Sequence, residues 1–127
     1  MSYINPVYIT DKYVKDLLDR DGLVGQLALT DLAVNRFVQS KGVAPSLIPM
    51  DDEGVYTTSF DVLEYALAHL YSLAFKDYIG ADMEEYREKY YIEKNTLRSK
   101  MNRATYDTIL SNLNEKRSSF YKDVPVQ

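Results

Sequence analysis

The chain predicts an all-α fold: a small bundle of four to five helices around one central apolar helix, with an extended C-terminal tail. Three observations carry this. Apolar residues recur at helical spacing in several separate stretches, no stretch alternates convincingly with period two, and Gly or capping residues punctuate the periodic segments. A length of 127 residues suits one domain with a single core. We place that domain at residues 1–117 and the tail at 118–127.

The central helix is Ser59–Gly80, SFDVLEYALAHLYSLAFKDYIG. At about 100° per residue, Val62, Leu63, Ala66, Leu67, Leu70, Tyr71, Leu73, Ala74 and Tyr78 fill an apolar arc of roughly 180°, wider than the ~100° stripe of a surface helix. Asp61, Glu64, Ser72 and Lys76 occupy the remaining arc, with Ala68 among them. Neighbours should therefore touch this helix on several sides. Thr58 or Ser59 can cap its start and Gly80 its end.

The other elements follow in chain order. Residues 1–9, with Pro6, read as an extended arm. Thr10 can cap a short helix over about Asp11–Asp19, its apolar face made by Tyr13, Val14, Leu17 and Leu18. The turn residues Asp19–Gly22 end it. A second helix runs from Leu23 to Lys41, stopped by Gly42, with Leu23, Leu27, Val34, Phe37 and Val38 on its face. Asp31 falls inside that stripe. Either it finds a buried partner or the helix restarts at Thr30; one helix with an irregularity near Thr30 is the preferred reading.

Residues 42–58 form the longest stretch without helical period, and a connection of this length is commonly functional or mobile. Val55–Thr57 could make a short strand. Asp51, Asp52 and Glu53 form an acidic run, but the alternating ligand spacing of a calcium loop is absent, so a solvated turn is the reading.

Beyond Gly80, Asp82 with Glu85 resembles a capping box opening a fourth helix. Met83, Tyr86, Tyr90, Leu97 and Met101 share a narrow stripe, as for a surface helix burying one seam. Lys94, Arg98, Lys100 and Arg103 make a basic end that complements the helix dipole. Thr105 can start a last segment with Tyr106, Ile109, Leu110 and Leu113 in register, fading at Asn114–Arg117. Phe120, Tyr121, Val124 and Val126 then need a groove on this protein or on a partner.

Composition narrows the function classes. The net charge is −4, unevenly spread: residues 1–86 hold 14 acidic and 6 basic side chains, residues 87–127 hold 5 and 9. Two surfaces of different character follow from this split. No cysteine is present, so neither a disulfide framework nor a thiolate site can form. MSYINPVYIT is not a secretory signal, and no window is apolar enough for a membrane span. Twelve tyrosines and no tryptophan suit either a small core or surfaces buried against partners.

Signals for catalysis are missing. His69 is the sole histidine and sits at the border of the two arcs of the central helix, where a hydrogen-bonded structural role is the expectation. There is no G-x-S-x-G turn, no phosphate-binding glycine loop and no defensible carboxylate pair. No enzyme activity, cofactor or metal is expected. A helix-turn-helix DNA binder would want its basic residues gathered on one recognition helix, which they are not. A subunit of a larger assembly remains, with a generic α-helical interaction or regulatory protein, DNA-binding among its forms, as the alternative.

The order of elements resembles the head–tail connector, or adaptor, proteins of tailed bacteriophages. The resemblance rests on YITDKYVKDLL, on DLAVNRFVQSKGV before a proline-bearing loop, on LEYALAHLYSLAFKDY, on EEYREKYYIEKNTL and on the closing ATYDTIL. It spans residues 7–113 and leaves the loop 43–58 and the tail unmatched. It implies a non-enzymatic virion protein at the head–tail junction, assembled in the host cytoplasm. Such proteins form a homo-oligomeric ring, usually of twelve copies, on the portal protein, extend the DNA channel and receive further neck or tail proteins. It also implies that the C-terminal segment, here Phe120–Val126, reaches the portal. An acidic lining would let double-stranded DNA pass without sequence-specific contact, with Asp51, Asp52 and Glu53 as the candidate residues.

Overall fold

In a computed structural model of the chain, residues 2–9, 12–76 and 84–110 are described. Among the described residues five helices follow one another: α1 (Lys12–Asp21), α2 (Leu23–Ser40), α3 (Phe60–Lys76), α4 (Glu84–Arg103) and α5 (Tyr106–Leu110). Short 3-10 turns at Pro6–Tyr8 and Pro45–Leu47 shape the connecting segments. No strand forms among the described residues; Val55 and Tyr56 make only single bridges, to Ser2 and Met50. The all-α bundle around a central apolar helix is the predicted architecture. Gly80, Asp82 and Met83, residues 111–117 and the whole tail lie outside the described residues.

α3 is enclosed further than its wheel predicts. Val62, Leu63, Ala66, Leu67, Leu70, Tyr71 and Ala74 are buried as expected, and Tyr65, Ala68, Ser72 and Phe75 are buried too. Ser72 tolerates this because its hydroxyl donates to the His69 carbonyl at 2.7 Å, the local bond that lets a serine sit inside a helix. α4 packs most extensively on α3, followed by α2 and then α1.

The predicted side-chain cap of α3 is not made. The Leu63 amide donates to the Ser59 carbonyl at 3.2 Å, and the Ser59 amide donates to the Ile109 carbonyl at 3.3 Å. The Ser59 hydroxyl is buried without a partner, while Thr58 donates weakly to the Ser59 carbonyl at 3.4 Å. Contact with α5, whose Ile109 is fully buried, closes this end of the helix.

α1 and α2 meet more abruptly than Asp19–Gly22 suggested. α1 continues to Asp21, and Gly22 alone makes the turn at φ 92°. A left-handed φ of this size suits glycine and strains other residues. Leu18 is the one buried residue of the predicted α1 face whose side chain is described. α2 ends at Ser40, and Gly42 follows at φ 86°, as its stop role requires.

Asp31 does not break α2. Its Oδ1 accepts hydrogen bonds from the Ser2 hydroxyl and the Tyr3 amide, both at 3.0 Å. The carboxylate thus anchors the arm, whose Tyr3, Ile4 and Ile9 are buried while Val7 stays exposed. Tyr3 donates its hydroxyl proton to Asn35 at 2.7 Å and stacks on Tyr56 with ring centroids 4.5 Å apart. Ser2 completes the clasp, its amide donating to Gly54 and its carbonyl accepting from Tyr56. The arm is therefore sewn between α2 and the loop that precedes α3.

α4 buries one seam. Leu97 is buried, Tyr90 packs partly against the core and Met101 is largely at the surface. Its basic end is not a uniform dipole complement. Lys100 reaches back to α3 and pairs with Asp61 at 3.2 Å and Glu64 at 2.7 Å. α5 is opened by Thr105, whose amide donates to the Thr108 hydroxyl at 2.8 Å while its own hydroxyl accepts from the Thr108 amide at 3.3 Å. Threonine here takes the reciprocal part usually played by glutamate in a capping box.

Replacing Asp31 by alanine leaves the Tyr3 amide without its acceptor, and the loss is about 1–3 kcal/mol of stability. Urea unfolding checks it, with Gln39→Ala, a change at an exposed position of the same helix, as the near-neutral reference.

Candidate functional site

The acidic run is a closed turn. Asp51 Oδ1 accepts from the amides of Glu53 at 2.8 Å and Val55 at 3.0 Å. The Asp51 amide donates to the Val55 carbonyl at 2.8 Å, and the Asp51 carbonyl accepts from Gly54 at 3.1 Å, where φ is 77°. The side-chain amide of Asn5 donates to Glu53 at 2.9 Å. Asp51, Asp52 and Glu53 are all exposed, so the turn shows negative charge to solvent from a fixed position. Phe120, Tyr121, Val124 and Val126 lie outside the described residues.

A second feature was not anticipated. α2, α3 and α4 enclose a cleft of about 480 Å³. Tyr65 and His69 line it from α3, Ala33 from α2, and Lys94, Leu97, Arg98 and Met101 from α4. Tyr65 packs against Phe37, ring centroids 4.3 Å apart, which fixes the base of the cleft. His69 Nδ1 lies 2.9 Å from the Thr30 hydroxyl, the donor being set by the tautomer. This bond explains how Thr30 can be fully buried in α2. Burial, and then the charge of Lys94, push the His69 pKa below the usual histidine value, favouring the neutral ring.

On another side of α3, Glu93 projects from α4 into a smaller cavity shared with Glu64, Leu67, Ala68 and Tyr71. Burial, reinforced by the nearby Glu64 carboxylate, raises its pKa to about 7. Lys100 is committed to Glu64 and Asp61. The wheel of α4 contained a signal for this residue, since Glu93 lies about 40° from Leu97 and hence beside the apolar stripe.

Two helices also leave large apolar side chains uncovered. α2 exposes Val24 at 82%, Leu29 at 52% and Leu32 at 47%, and α4 exposes Tyr91 and Ile92, each at 55%. Among the described residues no cluster of three or more ligating side chains could hold a metal ion, and no helix is long and apolar enough to cross a membrane. Compared with protein-family models, curated proteins and solved structures, the chain matches none.

Glu93 gives a signed pH dependence. With a folded pKa of about 7 above the ordinary glutamate value, the native state holds its proton where the unfolded state has lost it. Stability therefore falls as pH rises from about 4.5 through about 7. His69, with a lowered pKa, acts oppositely, so the comparison with Glu93→Gln isolates the term. The variant is expected to be more stable than the parent by about 1–3 kcal/mol at pH 8, with the difference vanishing near pH 4. Urea unfolding at both pH values checks this.

Proposed function

We propose that the chain is a structural subunit of a tailed-phage head–tail connector, a homo-oligomeric ring that docks on the portal and extends the DNA channel. The observation that carries this reading is the uncovered apolar surface on two helices seated on different parts of α3. α2 meets the side of α3 that carries Tyr65 and His69, while α4 meets the side that carries Glu64 and Tyr71. Val24, Leu29 and Leu32 on one helix and Tyr91 and Ile92 on the other give one protomer two dissimilar apolar patches. Dissimilar patches suit a head-to-tail contact, which closes into a ring when the rotation between neighbours allows.

The remaining features take their places in this reading. The helical order resembles that of connector proteins over residues 7–113. The closed turn at Asp51–Glu53 offers fixed negative charge, which repels a passing duplex and keeps it from sticking. Phe120, Tyr121, Val124 and Val126 are the segment that reaches the portal. Chemistry on a substrate has no part in this function; assembly is the activity.

Co-expression with the cognate portal protein, followed by native mass measurement, tests the proposal. A ring of this chain on the portal is the expected product. Leu32→Glu combined with Ile92→Glu should keep the helical circular dichroism and abolish the ring, while deletion of residues 118–127 should keep the fold and abolish docking. A protein that stays monomeric beside the portal and binds duplex DNA with a steep salt dependence would overturn the proposal in favour of a DNA-binding regulator.

A further inference from the structure

We propose that the cleft between α2, α3 and α4 is a binding site for a small organic anion. Its acidic group is held by Lys94, Arg98 and the outward nitrogen of His69, and its apolar body lies against Leu97 and Met101. Nothing in this inference depends on the connector reading.

Charge is the first argument. The chain as a whole carries −4, yet no carboxylate lines this cleft. Lys94 sits over the Tyr90 ring, 5.9 Å from its centroid, and among the described residues neither Lys94 nor Arg98 pairs with a carboxylate. Lys94 and Arg98 are one turn apart on α4, and both are exposed. Two like charges at that spacing repel each other, and Lys94 also acts on the His69 ring. An anion between them relieves that repulsion and accepts charge-assisted hydrogen bonds, which are stronger than neutral ones.

Geometry supplies the second argument. Thr30 occupies Nδ1 of His69, so Nε2 is the ring nitrogen left for the cleft. When Thr30 donates, Nε2 carries the proton and is a donor in the neutral ring. The cleft then offers an imidazole N–H fixed from a buried helix and two cations on long arms that can close from the rim. Such a donor set selects an acceptor-rich group such as phosphonate, phosphate or carboxylate.

Size decides between a bare inorganic ion and an organic one. About 480 Å³ falls within the roughly 300–1,000 Å³ of small-molecule sites, far more than one oxyanion fills. Leu97 is buried and Met101 partly exposed, so an apolar body gains contact there beside the charged group.

His69 is the only histidine, so one imidazole signal reports on the site without assignment. The test is a long-range proton–nitrogen NMR titration of the full chain at fixed pH, with phenylphosphonate and, separately, inorganic phosphate. The expected result is a saturable shift of His69 Nε2 with phenylphosphonate, about tenfold weaker with inorganic phosphate, and about tenfold or more weaker again in Lys94→Gln/Arg98→Gln. Both changed residues are exposed, and circular dichroism confirms that the variant is folded. Absence of a saturable shift overturns the proposal, as does an equal shift in the double variant, which marks general adsorption. A His69 shift that follows protein concentration without probe also overturns it, because a side chain of a second copy then fills the cleft.

Discussion

α3 gives little more than a polar edge at Asp61, Glu64 and Lys76 to water, and the rest of the molecule answers that constraint. Eleven of its side chains are buried, which at roughly 25 cal/mol per Å² is the largest single source of stability available to the chain. No single neighbour can cover such a helix. α4 takes one side and α2 another, α1 takes part of what remains, and α5 closes the start through Ile109. Four of the polar groups on α3 are compatible with this because each has a partner. Ser72 bonds within the helix, His69 meets Thr30, and Asp61 and Glu64 share Lys100.

The same constraint explains why the N-terminal residues matter. A segment as short as 2–9 has little structure of its own, and ordering it costs conformational entropy. Asp31 meets that cost by holding Ser2 and Tyr3, after which Tyr3 can stack on Tyr56 and fix the loop before α3. Burial raises the pKa of the Asp31 carboxyl while its bonds to Tyr3 and Ser2 pull it down. Glu93 lacks such compensation, which is why its pKa moves so far. The outward sides of α2 and α4, the acidic turn and the cationic rim of the cleft take no part in covering α3.

The central helix, the α2 stop at Gly42 and the narrow seam of α4 were legible in the sequence because each is set by local periodicity or by one backbone conformation. The choice at Asp31 was legible as a choice: a carboxylate inside an apolar stripe must either be paired or end the helix. Its partner was not, because Ser2 and Tyr3 lie 29 and 28 residues away and nothing local marks them. The burial of the arm was not legible for the same reason, since Tyr3, Ile4 and Ile9 are covered only once α2 and the loop are in place. Lys100 looked like dipole complement because a helical wheel does not show that the opposing helix presents two carboxylates. The cleft draws on three helices and was invisible to any single wheel, although His69 at the border of two arcs was the one local sign of it.

Native-state hydrogen exchange tests the central claim, that everything else is arranged to cover α3. Amides from Val62 to Phe75 should be the slowest in the protein and exchange only through global unfolding, while those of α4 and of residues 2–9 open at lower free energy. Slower exchange in α2 or α4 than in α3 would contradict the account, because the most deeply buried helix would then not be the one that the rest of the fold protects.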